Sequence, residues 1–347
     1  MTIFLSWMTE TARRASSAGA EGASVCCTAA RDRWPERPGA HALRGLGIQR
    51  ASRGFLTYLC NRVSTGERTH MGLTVGPRLS AAGGVAISGI DLAEPLPPEP
   101  KRRILEVFRD HHVVVFPGQA LTREQQYGFA RNFGEVEPHG GRQAGNKQLE
   151  VAHVISNLDQ DGNPVDRSPS PVSNYRWHTD KSYRPVPPLL TMLYAVELPP
   201  EGGDTEFANT LLGYAALPDE KKQRIAGLRV VFCWGASGGK PVMAMREDPP
   251  VDHPLVRTHP DTGHKALYLG NHASHIQEMT ETEGAGLLGE LLEHTTQRQF
   301  VYTHRWRKGD LVMWDNRCLL HRAVANYDMG RYRRVLHRSV VRGTVPF

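Results

Sequence analysis

The chain has 347 residues, 39% of them hydrophobic and 22% charged, a composition that suits a folded globular chain of one large or two small domains. Its net charge of +6 does not mark a nucleic-acid binder, because residues 1–70 hold ten Arg, no Lys and five acidic residues, or +5, and leave the rest of the chain at +1. No stretch approaches the roughly 18 apolar residues of a membrane span, and the opening MTIFLSWM is too short for the apolar core of a signal peptide.

Residues 1–70 are rich in Ala, Arg, Gly and Ser with weak apolar periodicity. They read as a disordered extension or as sequence ahead of the true start at Met71, with 71–347 as the functional domain. An Arg-rich transit peptide is the alternative, weakened by Glu10, Glu21, Asp32 and Glu36. The five cysteines, Cys26, Cys27, Cys60, Cys233 and Cys318, are odd in number and form no CxxC, so the expectation is a reducing, cytoplasmic compartment without structural disulfides.

From about residue 72 the chain alternates short elements. EPKRRILEVFRDHH (99–112) carries Ile104, Leu105 and Phe108 at helical spacing. VVVFPG (113–118) is a buried strand ended by Pro-Gly, and Thr122 with Gln125 predicts a capping box opening the next helix. LEVAHVISN (149–157) is strand-like, residues 158–176 form a polar loop, and LLTMLYAVEL (189–198) is β-like. PPEGGDTEFAN (199–209) is a turn leading into a strand. Further strands are expected at 229–234, 254–259, 265–270, 299–306, 310–316 and 333–341, interrupted by one helix at 281–297. Many short strands separated by turn signals predict a β-sandwich or barrel. The segments 158–176 and 235–253 are expected to close over a pocket.

WHTDKSY (177–183) sets His178 two residues before Asp180. Such a pair alone is common and needs a third ligand. DLVMWDNRCLLHRA (310–323) offers His321, 143 residues beyond His178. Two histidines and one carboxylate in this arrangement match the facial triad that holds iron(II) and leaves three positions open.

With these residues in order, the chain resembles the taurine dioxygenase / 2,4-dichlorophenoxyacetate dioxygenase family of iron(II)- and 2-oxoglutarate-dependent oxygenases over roughly residues 73–343. The motifs that carry the resemblance are WHTDKSY, PPEGGDTEFAN, LVRTHPDTGHKALYLGNHASHI, GDLVMWDNRCLLHRA and RYRRVLHRS, the last three closer to the phenoxyacetate-type members. The resemblance implies a mainly β fold with flanking helices around a double-stranded β-helix (jelly-roll, cupin-like) core. It implies that His178, Asp180 and His321 ligate Fe(2+), and that Thr205 and Arg334 bind 2-oxoglutarate. It also implies that Arg338 holds an anionic group of the substrate, with His139, His272 and His275 as further substrate contacts and His259 as a pocket or supporting group. The implied reaction uses O2 to hydroxylate a small anionic molecule, an aryloxy or other organic carboxylate ahead of a sulfonate, with formation of succinate and CO2. A dimer or tetramer is implied, with no nucleic-acid or membrane partner. Two other classes stay open on the residues alone: a non-catalytic jelly-roll that binds a small anion, and a zinc-type hydrolase using the same triad.

Overall fold

The run VVVF at 113–116 forms a strand whose four side chains are all buried, as happens where both faces of a sheet are covered. The computed structural model describes residues 72–140, 148–166, 174–234, 236–237, 240–241 and 249–347, without the side chains of 139–140, 148–149, 236–237 and 240–241. The expectation for residues 1–70 lies outside the described residues, as does much of the two expected pocket-closing segments.

In chain order the strands are β1 (Thr74–Ser80), β2 (Gly83–Ser88), β3 (Val113–Phe116), β4 (His139–Gly140), β5 (Gln148–Leu149), β6 (His153–Ser156), β7 (Pro188–Glu197), β8 (Thr205–Asn209), β9 (Arg229–Phe232), β10 (Ala236–Ser237), β11 (Lys240–Pro241), β12 (Val251–Pro254), β13 (Val256–Thr258), β14 (Lys265–Leu267), β15 (Ala273–Ile276), β16 (Val301–His304), β17 (Leu311–Asp315), β18 (Leu319–Ala323) and β19 (Val335–Arg342). The helices are α1 (Pro98–His111), α2 (Arg123–Ala130), α3 (Thr210–Ala216), α4 (Asp219–Ile225) and α5 (Glu281–Thr295).

A seven-stranded sheet in the order β1-β2-β3-β17-β7-β19-β6 forms one layer; β2 and β3 run parallel and the other neighbours antiparallel. Strand alternation divides its side chains between two cores. Val114, Phe116, Met192, Leu311 and Met313 point outward onto Ile104 and Phe108 of α1 and Tyr127 and Phe129 of α2. Val113, Val115, Val312, Trp314 and Leu336 point inward and meet Phe207, Tyr302 and Leu319 of a three-stranded sheet, β16-β8-β18. Beyond lie the sheet β12-β9-β15 and the hairpin β13–β14, where Val230, Phe232 and Ile276 pack with Leu287, Leu288 and Leu291 of α5. This is the double-stranded β-helix with flanking helices that the sequence reading expects.

The Thr122–Gln125 capping box is present at α2. Differences from expectation have local causes. The strand expected at 254–259 is broken at Leu255, whose neighbours join different sheets. The segment 235–253, given no element from sequence, ends in β12, which pairs with β9 in a register from Val251 opposite Phe232. Residues 210–225, unassigned from sequence, form two short helices, the first capped by the Asn209 side chain accepting from the Leu211 and Leu212 amides.

Candidate metal centre and co-substrate site

His178 and His321 face each other across an isolated antiparallel bridge: the His178 amide donates to the His321 carbonyl at 3.0 Å and the reverse bond is 2.7 Å. Backbone pairing therefore brings the two rings to 4.1 Å between centroids, although 143 residues separate them. Asp180, two residues along, sets its Oδ2 3.9 Å from His321 Nε2. One ligand atom from each residue lies within 4.8 Å of the others, and all three side chains are buried.

The protonation states suit a cation. Burial, with neighbouring His178, pushes His321 down to about 3, and burial lowers His178 as well, so both rings are neutral near pH 7. His178 Nδ1 lies 2.7 Å from the Arg176 carbonyl, so the ring donates there and leaves Nε2 as the lone-pair nitrogen. Burial alone would raise the Asp180 carboxyl, but His321, Arg338, His178 and the Thr191 hydroxyl outweigh it and hold it below the usual carboxylate range. Two neutral imidazoles and one carboxylate, with no thiolate, are the donor set that iron(II) accepts. Lys181 follows Asp180 at φ 48° in the left-handed region and pairs with Glu137.

Along β8, Thr205 pairs with Ala323 while Phe207 pairs with His321, so Thr205 lies two residues along the ladder from that candidate ligand. Its hydroxyl accepts from Trp306 Nε1 at 3.0 Å, which leaves its own proton to donate. Arg334 reaches the same turn, its Nε donating to the Gly203 carbonyl at 3.0 Å. Gly203 has φ +69°, and a Cβ there would meet Arg334 Nε at 3.1 Å and Cδ at 3.2 Å, so only glycine permits this approach. Among the described residues no carboxylate pairs with Arg334; burial lowers its pKa, partly offset by Tyr327, Tyr175 and Asp204. A guanidinium drawn from water without an anion beside it is a ready carboxylate receptor.

Arg338 shares the inward face of β19 with Leu336. Its Nη1 is 4.0 Å from Asp180 Oδ1 and its buried Nε has no partner among the described residues. His272 is buried beside the triad, its ring 6.3 Å from His178 and 4.9 Å from Tyr183, and burial pushes it down to about 3. The structure does not bring His275 to this group: it is exposed on β15, where the strand turns Ser274 and Ile276 inward and His275 outward, against Ser274 Oγ at 3.2 Å. The side chain of His139, on β4, lies outside the described ones. His259 is fully buried elsewhere, in a second cluster.

That cluster, His112, His259, Asp315 and Cys318, also brings four potential ligand atoms within 4.8 Å of one another. Its carboxylate is already taken. Asp315 Oδ1 accepts from Arg317 Nε at 2.8 Å and the Arg317 amide at 2.9 Å, and Oδ2 accepts from Arg317 Nη2 at 2.8 Å and lies 3.0 Å from His259 Nε2. Arg257 is buried against the same groups and would repel a dication.

Sequence reasoning did not single out Thr191, Asn316, Trp306 or Trp314, whose hydrogen bonds reach Asp180 and Thr205. A signal existed for Thr191: it is the one polar residue in the apolar run LLTML, and a buried hydroxyl requires a partner.

The model of the family described as "Taurine catabolism dioxygenase TauD, TfdA family" matches residues 74–340. The chain is 43% identical over 278 residues to the alpha-ketoglutarate-dependent 2,4-dichlorophenoxyacetate dioxygenase of Cupriavidus pinatubonensis, covering 75% of this chain and 94% of that one. It is 32% identical over 280 residues to the (S)-phenoxypropionate/alpha-ketoglutarate-dioxygenase of Sphingobium herbicidovorans, covering 76% and 93%. Among solved structures, AAD-2 in complex with Mn(II) and N-oxalylglycine superposes with a TM-score of 0.70 at 37% identity, covering 80% of this chain and 98% of that one.

Proposed function

The chain belongs to the TauD/TfdA family and is an iron(II)- and 2-oxoglutarate-dependent dioxygenase, and from that premise we propose that it hydroxylates a small organic anion, an aryloxy carboxylate before a sulfonate or sulfate ester. In this reading His178, Asp180 and His321 hold the iron, Thr205 and Arg334 hold the far carboxylate of 2-oxoglutarate, and Arg338 receives the substrate anion. The observation that carries it is the pairing of a neutral-histidine, ionised-carboxylate triad with a separate partly buried arginine that no carboxylate among the described residues neutralises. A zinc hydrolase would leave Thr205 and Arg334 without a task.

Bound iron(II) supplies the redox chemistry by which O2 converts 2-oxoglutarate to succinate and CO2 and hydroxylates the substrate. The chain's own residues bind and orient. The Arg334 fork accepts a carboxylate through two parallel charge-assisted bonds, and the Thr205 proton, directed away from Trp306, adds a third donor. Arg338 sets the substrate's charged end beside the metal ligands, and His272 with Tyr183 forms a wall that keeps water from His178. The substrate class rests on Arg338 and on what the two oxygenase relatives are named for; near-identical iron sites serve different substrates.

The test is an anaerobic titration of the iron(II)-loaded protein with 2-oxoglutarate, read as the visible metal-to-ligand band of the chelate. The wild type is expected to form it, and Arg334→Ala to need about 10–100 times more co-substrate, the worth of a charged hydrogen-bonded pair. Succinate release across aryloxyacetates, aryloxypropionates, alkylsulfonates and sulfate esters then ranks substrates; no band from metal-loaded protein defeats the reading. We further propose residues 71–347 as the catalytic unit, a cytoplasmic location, and a dimer or tetramer, which light scattering on the purified protein reads directly. Among the described residues no helix is long and apolar enough to cross a membrane.

A further inference from the structure

We propose that Trp314, Asn316 and Thr191 form a one-way hydrogen-bond relay that positions the Asp180 carboxylate for the metal; the proposal rests on the reading of His178, Asp180 and His321 as a metal centre. Three bonds link the side chains in series. Trp314 Nε1 donates to Asn316 Oδ1 at 3.1 Å, Asn316 Nδ2 donates to Thr191 Oγ1 at 2.9 Å, and Thr191 Oγ1 donates to Asp180 Oδ2 at 2.5 Å. Thr191 is fully buried and Trp314 and Asn316 are 1% exposed, so water does not compete for any of these groups.

The direction of the relay follows from its first donor. An indole N–H can only donate. The atom of Asn316 facing Trp314 is therefore the oxygen, an orientation that the Asp180 amide also supports from 3.4 Å. The Asn316 nitrogen is left facing Thr191 and can only donate. The Thr191 oxygen then has a lone pair engaged and turns its proton to Asp180, where the carboxylate can only accept. Each link dictates the next, and the last fixes one oxygen of a metal ligand. Asp180 comes from an irregular turn, whereas Thr191 and Trp314 are cross-strand partners in the rigid large sheet. The relay thus transfers the precision of the sheet to a ligand on a turn. Trp314 also packs its ring 4.7 Å from that of His321, so one side chain braces two of the three ligands.

Outer partners of metal ligands command about 10–100-fold in affinity. Mn(II) binding by calorimetry is measured on the wild type, Thr191→Val, Thr191→Ser and Asn316→Asp, beside melting temperatures without metal. Thr191→Val keeps the shape and removes the proton, so Mn(II) affinity is expected to fall about 10–100-fold, while Thr191→Ser, which keeps the hydroxyl, stays within about threefold of the wild type. Asn316→Asp is isosteric but reverses one link: the new carboxylate accepts from both Trp314 and Thr191, draws the hydroxyl proton away from Asp180, and is expected to reproduce the loss seen with Thr191→Val. Wild-type affinity in folded Thr191→Val, or an equal loss in the valine and serine variants, overturns the relay. If the wild type itself binds no Mn(II), the metal-centre reading fails and the relay falls with it; binding by the wild type with unchanged variants sinks the relay alone.

Discussion

Two buried clusters among the described residues contain two histidines and an aspartate, and they differ in what surrounds the carboxylate. Around Asp180 the nearest guanidinium, that of Arg338, stops at 4.0 Å and the carboxylate takes its short bond from a neutral hydroxyl. Around Asp315 the Arg317 guanidinium closes both oxygens at 2.8 Å and His259 stands at 3.0 Å. Residue types are nearly the same in the two places; the counter-charge is not. A carboxylate bonded at both oxygens by a guanidinium is a strut, and one whose nearest guanidinium stands 4.0 Å away keeps more of its charge for a cation. Ligand-type residues at ligand spacing are therefore an incomplete criterion, and the position of the arginine decides.

The largest expected effect separates the clusters directly. Asp180→Ala should lower iron(II) affinity by more than about 100-fold, beyond the range that outer partners command, and abolish turnover; calorimetry with Mn(II) checks it. Next comes Asp315→Asn, which leaves the buried Arg317 with Asp261, at 2.9 Å, as its remaining carboxylate and should cost about 1.5–3 kcal/mol of folding stability by denaturant unfolding, with less than about a tenfold change in metal affinity. If the two variants exchange phenotypes, the comparison is inverted.

Acid titration gives a smaller effect that both clusters share. Burial pushes His112, in the closed cluster, and His272 and His321, in the open one, down to about 3. The unfolded chain protonates these groups near 6.5 and the folded chain only near 3, so between those values the unfolded state holds more protons. Stability of the metal-free protein therefore falls as pH drops below 6.5, by about 1.4 kcal/mol per pH unit for each histidine. His112 sits at φ 61°, a conformation Asn tolerates, so His112→Asn should remove one contribution and flatten the acid limb of the unfolding profile. An unchanged limb would mean that His112 is charged in the folded protein. Smallest is Cys318→Ala, expected to cost about 1 kcal/mol in a thermal melt and to leave zinc per chain at the wild-type level. A loss of bound zinc would reopen the second cluster as a metal site.

Much of this was legible in one dimension. The strands at 113–116, 188–197 and 311–315 show as apolar runs because both their faces are buried, and α2 shows through its Thr122–Gln125 cap because that signal is local. His178 and Asp180 stand two apart in one motif, and His321, Thr205 and Arg334 were reachable through motifs in family order. What escaped was whatever depends on side chains from different strands meeting. His272 and His275 are indistinguishable in the string NHASHI; the turn before β15 buries His272 against Tyr183, and the strand's alternation exposes His275. The hydrogen bonds that join Thr191, Asn316 and Trp314 exist only because β7 lies beside β17.

The sequence by itself showed most of the element types, through periodicity and capping among neighbouring residues, and, through its motifs, the family and the candidate ligand set. The tertiary structure decided which His/Asp cluster is open, because only the folded chain shows that the Arg317 side chain turns back onto Asp315, two residues away, at 2.8 Å, while Arg338, far along the chain from Asp180, stops at 4.0 Å.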